Sequence, residues 1–146
     1  MKNVPEATQP SADVKFSAVK GRHLRLGRRG EKIACRFLRQ KGFDVLVKNF
    51  KCRAGEIDIV ARDGAVLCFI EVKTRRWRPD KHRAVSPLSH WQSKRVKRAA
   101  LDYLEELEHP KVLWRFDLIE IGMARFGVKD LFHWKGNFGK AEERRR

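Results

Sequence analysis

The sequence predicts an α/β domain, a mixed β-sheet flanked by helices in the order αβββαββ. Three observations lead there. Two β-rich runs, Glu56–Arg62 and Ala65–Lys73, flank Asp63-Gly64, the pattern of a tight hairpin. Two segments with helical apolar spacing bracket the strand-rich region. The chain has 146 residues and is 42% hydrophobic, enough for one core and too short for two.

The elements follow in order. Residues 1–20 carry Pro5, Pro10 and Ser11 without periodicity and read as a disordered leader. From about Leu26 to Lys41, Ile33, Ala34, Phe37 and Leu38 form one apolar stripe of a helix, with Gly42 as its stop. Phe43 to Cys52 reads as a strand, and the hairpin follows it. Thr74 to about Pro87 is a polar loop carrying Arg75, Arg76, Arg78, Lys81 and Arg83. A second helix runs from about Leu88 to Leu107, with Val96, Ala99, Ala100, Tyr103, Leu104 and Leu107 on one face. Val112–Gly122 and Leu131–Lys135 supply the last strands. Residues 21–138 thus make a single domain, and 139–146, ending Arg144-Arg145-Arg146, form a basic tail.

Charge is the first pointer to function. Thirty-four Lys and Arg against 18 Asp and Glu leave +16, which a polyanion would relieve. Nucleic acid is the expected polyanion, because neutralised phosphates release their condensed counterions. A membrane surface would call for one basic amphipathic helix, whereas these cations are spread over several segments. No apolar run approaches the ~18 residues that span a bilayer, and residues 1–20 lack a signal peptide's apolar stretch. Three cysteines without CxxC spacing argue against a disulfide framework or zinc ribbon. The five histidines show no metal-ligand spacing, and most read as exposed or incidental. The expectation is a soluble, cytoplasmic protein with no membrane partner.

The hairpin also acts as a ruler. With Asp63-Gly64 in the turn, Arg62 faces Ala65, Glu56 faces Glu71, and Asp58 faces Phe69, diagonal to Glu71. Alternation then puts Glu56, Asp58, Glu71 and Lys73 on one face, and Ile57, Ile59, Cys68, Ile70 and Val72 on the other. Three carboxylates together repel one another, and a divalent cation turns that repulsion into coordination. Mg²⁺ binds through one or two carboxylates and keeps its other positions for water and substrate phosphate. A lysine two residues past Glu71 can act on a water or on developing phosphate charge. The ordinary alternative is a solvated strand face; Val60, Leu67 and Phe69 on the same face argue that it is covered. Glu31, at the border of the first helix's apolar stripe, either leans toward the carboxylates or offsets the helix dipole. Gln92, on the core-facing side at the start of the second helix, either binds a phosphate or water or caps the helix. Trp77, set among Arg75, Arg76 and Arg78, either stacks on an unpaired base or anchors the loop.

Gly30-Glu31, Gly55-Glu56-Ile57-Asp58 and Phe69-Ile70-Glu71-Val72-Lys73-Thr74-Arg75 resemble the bacterial YraN-like family of predicted endonucleases. Arg115-Phe116-Asp117 and the His133–Phe138 segment resemble its later motifs, so the likeness spans roughly Leu26 to Phe138. That family is similar to the PD-(D/E)XK nucleases, especially the archaeal Holliday-junction resolvases. The resemblance implies a restriction-endonuclease-like core. It implies Asp58 and Glu71 as ligands of Mg²⁺ or Mn²⁺, Lys73 as the catalytic lysine and Glu31 as the helical acid near the metal. Gln92 stands about where many members carry a lysine. The implied activity is cleavage of branched or single-stranded nucleic acid, DNA ahead of RNA, and the resolvase analogy implies a homodimer. The competing reading is a non-catalytic nucleic-acid-binding module, ribosome- or nucleoid-associated.

Overall fold

Alternation along the strands sorts the apolar residues onto two faces, and each face has its own helix. In a computed structural model, which describes residues 12–79, 90–108, 110–136 and 142–143, the elements are α1 (Ala12–Gln40), β1 (Asp44–Cys52), β2 (Gly55–Asp63), β3 (Val66–Arg76), α2 (His90–Glu106), β4 (Leu113–Ala124), β5 (Gly127–Lys135) and β6 (Glu142–Glu143). The sheet order is β1-β2-β3-β4-β5, and β6 pairs with β4. Among the described residues β3 and β4 alone run parallel, with α2 between them in the chain; the other pairings are antiparallel. This is the expected α/β arrangement, αβββαββ, with the two-residue β6 added.

On one face Ala34, Cys35 and Leu38 of α1 pack on Ile59, Ala61, Cys68, Ile70, Ile119 and Ile121. On the other, Val96, Ala99, Ala100, Tyr103 and Leu104 of α2 pack on Val60, Leu67, Phe69, Trp114 and Phe116. The helix ending at Gly42 is well explained. Gly42 has φ +87°, its N–H donates to the Arg39 carbonyl at 3.1 Å, and the Phe43 N–H donates to the Leu38 carbonyl at 3.0 Å. These are the two bonds of a Schellman cap, with buried Phe43 closing over the last turn.

Three boundaries differ most from expectation. α1 begins at Ala12, inside the segment that composition marks as a leader; residues 1–11 lie outside the described residues. β3 continues through Arg76, and the Trp77 N–H still donates to the Met123 carbonyl at 2.9 Å. The basic run Thr74–Arg76 is therefore strand, held by its parallel pairing with β4, while 80–89 lie outside the described residues. β5 begins at Gly127 rather than Leu131. Of the tail, only Glu142 and Glu143 are described.

The hairpin turn also moves by one residue. Asp63 pairs with Val66, so Gly64 and Ala65 occupy the turn. Gly64 has φ +58° and Ala65 is not in the left-handed region, the pattern of a II′ turn with glycine first. A I′ turn at Asp63-Gly64 would have required Asp63 itself to take a positive φ. The shifted register slides each partner by two residues, which preserves the faces and changes which acids meet.

Candidate functional site

The β2–β3 ladder runs from Asp63↔Val66 to Ile59↔Ile70, and one residue further in this register brings Asp58, not Glu56, against Glu71. Here the ribbon kinks. Lys48 pairs with Ile59 and Phe50 with Ile57, but Asn49, opposite Asp58, takes φ +54°. Alternation breaks on both strands: Ile57 and Val60 lie on the α2 face, as do Val47 and Phe50. Ile57 is thus on the opposite face from Ile59, contrary to the expectation that they share one. Asp58 is turned into the gap between β2 and β3, where its Oδ2 accepts the Val72 N–H at 2.8 Å. A side-chain oxygen stands in for a ladder carbonyl.

Asp58 is 7% exposed, and its carboxyl shares a hydrogen bond with that of Glu71. Burial pushes both groups up, Asp58 to about 6 and Glu71 to about 8, with mutual repulsion adding to the Glu71 shift. The Val72 N–H and the Glu71 hydrogen bond hold Asp58 lower than burial alone would. The two carboxyl groups therefore hold a proton more readily together than either would alone. Lys73, on the same face of β3 as Glu71, lowers the Glu71 value by its charge. Glu56, expected directly opposite Glu71, is exposed and pairs with Lys51; it reaches both acids only through its charge.

Two glycines let the helices close around this pair. Gly30 on α1 is buried against Thr74, and a Cβ there would overlap Thr74 Oγ1 and lie 2.9 Å from its Cβ. Gly55 on β2 lies under α2, where a Cβ would sit 3.1 Å from the Arg95 carbonyl oxygen. With α1 seated at Gly30, Glu31 lines a cleft of about 280 Å³ with Asp58, Arg28, Lys32, Lys48 and Asn49. Its negative charge further raises Asp58. Glu71 opens on the α2 side into a groove of about 430 Å³ shared with Lys51, Glu56 and Arg95. Gln92 belongs to α2, but its side chain lies outside the described residues.

The donor set fits a hard divalent cation. Two carboxyl groups meeting at one point match the one or two carboxylates that Mg²⁺ uses. No group of three or more His, Cys, Asp or Glu gathers among the described residues, so an all-protein cage is not offered there.

The basic residues after Lys73 are placed differently from one another. Arg75 Nη2 donates to Glu120 Oε1 at 3.0 Å, an ion pair whose acid is almost fully buried. Arg76 and Arg78 are exposed. Trp77 is 39% exposed, with Lys129 Nζ 5.4 Å from its ring centroid, so one face of the indole carries a cation.

A second buried polar cluster was not foreseen. Asp117 is fully buried and accepts from Arg115 Nε at 2.9 Å, from the Gly136 N–H at 2.9 Å and pairs with His133 Nε2 at 2.8 Å. Burial alone would raise Asp117, but these bonds outweigh it and hold the carboxyl below the usual range. Arg115 also reaches Asp63 at 2.9 Å, tying the hairpin end to β4. The His133 side chain, one of five histidines without metal-ligand spacing, is buried here, with its ring against Phe37 and Phe43. The available signal was charge on an apolar face: Arg115 and Asp117 fall at the same strand period as Ile119, Ile121 and Met123. His23, His82, His90 and His109 have side chains outside the described residues.

Among the described residues no helix is long and apolar enough to cross a membrane. Residues 30–121 match the uncharacterised protein family UPF0102. The chain is 40% identical over 114 residues to a UPF0102 protein of Parafrankia sp., covering 78% of this chain and 96% of that one. A UPF0102 protein of Chlorobaculum tepidum is 45% identical over 96 residues, covering 66% of this chain and 74% of its own. One of Geotalea daltonii is 39% identical over 118 residues, covering 80% and 91%. The matched span begins at the Gly30 contact and contains Asp58, Glu71, Lys73 and Glu120, and the chain belongs to the UPF0102 (YraN-like) family.

Proposed function

We propose that this protein is a Mg²⁺- or Mn²⁺-dependent endonuclease that hydrolyses phosphodiester bonds in nucleic acid, DNA ahead of RNA, and branched or single-stranded forms ahead of plain duplex. The observation that carries this reading is the meeting of buried Asp58, fixed by the Val72 N–H, with half-buried Glu71, and Lys73 next along the same face of β3. Asp58 and Glu71 would hold the cation, which displaces any proton between them into solvent; Glu31 would add negative charge from α1. The cation supplies Lewis acidity toward the phosphate and a more acidic bound water. Hydrolysis adds water across one P–O ester bond, and the water's proton passes to solvent or to the leaving oxygen. The Lys73 ammonium offsets charge that builds on the phosphoryl oxygens. Arg76 and Arg78 would contact the backbone, and the free face of Trp77 would take a base.

Labelled single-stranded, duplex and four-way substrates with Mn²⁺, with and without a chelator, test the reading. Cleavage is expected to vanish with the chelator and in Asp58→Asn, and to fall roughly 10²-fold or more in Lys73→Met at unchanged affinity. Absence of cleavage on every substrate would sink it. A second reading, binding without turnover, is favoured by the lack of a third donor at the pair among the described residues. Binding that ignores both metal and Asp58→Asn would support that alternative.

A further inference from the structure

We infer that a nucleic-acid strand lies in a basic groove between α1 and β1 that runs into the Asp58 cleft, a contact surface separate from the arginines at the end of β3. The groove, about 490 Å³, is lined by Lys32, Cys35, Arg36, Arg39, Gln40 and Lys48. Lys32, Cys35 and Lys48 also line the cleft that holds Asp58 and Glu31, so the two cavities are continuous. No lining residue is acidic until the groove reaches those two carboxylates.

The cations are spaced to follow a polymer. Arg28, Lys32, Arg36 and Arg39 succeed one another at four, four and three residues, which keeps them along one ridge of α1. That ridge extends over about 16 Å of helix axis, far more than a single small anion needs. Lys48 faces them from β1. Cys35 at the floor is 3% exposed, and burial raises its thiol, so it is no reactive group. A bilayer is a poorer occupant, because the apolar stripe of α1, Ala34, Cys35 and Leu38, is already spent on the sheet. The inference deepens the nuclease reading, on which it rests only for what happens at the Asp58 end.

The test is anisotropy of labelled single-stranded and duplex DNA with the full chain in chelator, across a salt series. The groove variant carries Arg36→Gln, Arg39→Gln and Lys48→Gln; a charge-matched control carries Lys94→Gln, Lys97→Gln and Arg98→Gln on the exposed side of α2. The groove variant is expected to lose affinity and to show a log–log salt slope smaller by about 2 to 3, at roughly 0.7 to 0.9 per phosphate contact. Lys48→Gln alone, which spares α1, should reduce the slope by about 1. An unchanged slope, an equal loss in the control, or binding of anionic vesicles but not DNA would overturn the inference. Parallel Mn²⁺ assays separate the two proposals. Groove-dependent binding by a protein that never cleaves leaves this inference standing and removes the nuclease reading. Asp58-dependent cleavage with intact binding in the groove variant does the reverse.

Discussion

Asp58 and Glu71 illustrate how a buried gap makes two acids behave as one proton-binding unit. The Val72 N–H and the low-exposure setting position Asp58, and burial with mutual repulsion raises both carboxyl groups. Their raised values have a definite consequence for stability. A carboxyl that holds its proton more tightly when folded stabilises the fold below its unfolded value, and that contribution is lost as pH rises through the folded values of about 6 and 8. Without divalent ions, the melting temperature should therefore decline between about pH 4 and 8. Asp58→Asn should flatten that decline and hold or raise the melting temperature at pH 8, because its amide oxygen can still accept from Val72. The same variant should weaken Mn²⁺ binding measured by calorimetry, and wild-type binding at pH 7 should release protons, seen as a buffer-dependent enthalpy. A flat pH profile in the wild type would mean that the pair is not protonated in the folded state.

At the scale of elements, the site depends on close approach. Gly30→Ala forces a methyl onto Thr74, so α1 must lift from β3. The cost should be of the order of 1–3 kcal/mol, and Mn²⁺ affinity should fall with it because Glu31 moves away from Asp58. Thr74→Ala in the same chain should recover part of both. Asp117→Ala should cost more, about 3–5 kcal/mol, by leaving Arg115 and His133 without their shared acid. A denaturant melt reads both, and a loss under 1 kcal/mol for Asp117→Ala would show that the cluster relaxes into water. These contacts also mark what the sequence could disclose. That Asp58, Glu71 and Lys73 come close together was legible because a hairpin carries its own register, and a two-residue error in pairing by itself leaves the alternation intact. The direct Asp58–Glu71 meeting was not legible. It depends on a glycine-first turn and on the kink at Asn49, and both depend on backbone angles that composition does not display. Arg75 and Arg76 read as loop because their charge masked a strand whose pairing comes from β4, far along the chain. The start of α1 was missed for the opposite reason, since its first turns lack the apolar stripe that marked residues 33–38.

For the whole molecule, sixteen uncompensated positive charges set the balance between self-repulsion and partner binding. A few are locally paired: Arg62 with Asp44, Arg115 with Asp63 and Asp117, and Arg75 with Glu120. The groove and the exposed faces of α1 and α2 hold many of the rest. Screening shortens the reach of such repulsion from about 10 Å at 0.1 M salt to about 3 Å at 1 M. The free protein should therefore melt at a higher temperature as salt increases, since repulsion within the folded state outweighs its few exposed ion pairs. A saturating oligonucleotide in chelator should raise the melting temperature at low salt, because ligand that binds only the folded state shifts the equilibrium toward it. Salt weakens that complex through loss of counterion release, so the bound and free curves should converge near 0.5–1 M. The opposite salt signs of the free and bound protein distinguish a polyanion-binding surface from a merely basic one. A free protein that loses stability with added salt would instead place the dominant electrostatics in its ion pairs, and the excess charge would then be a consequence of composition with no bearing on partner choice.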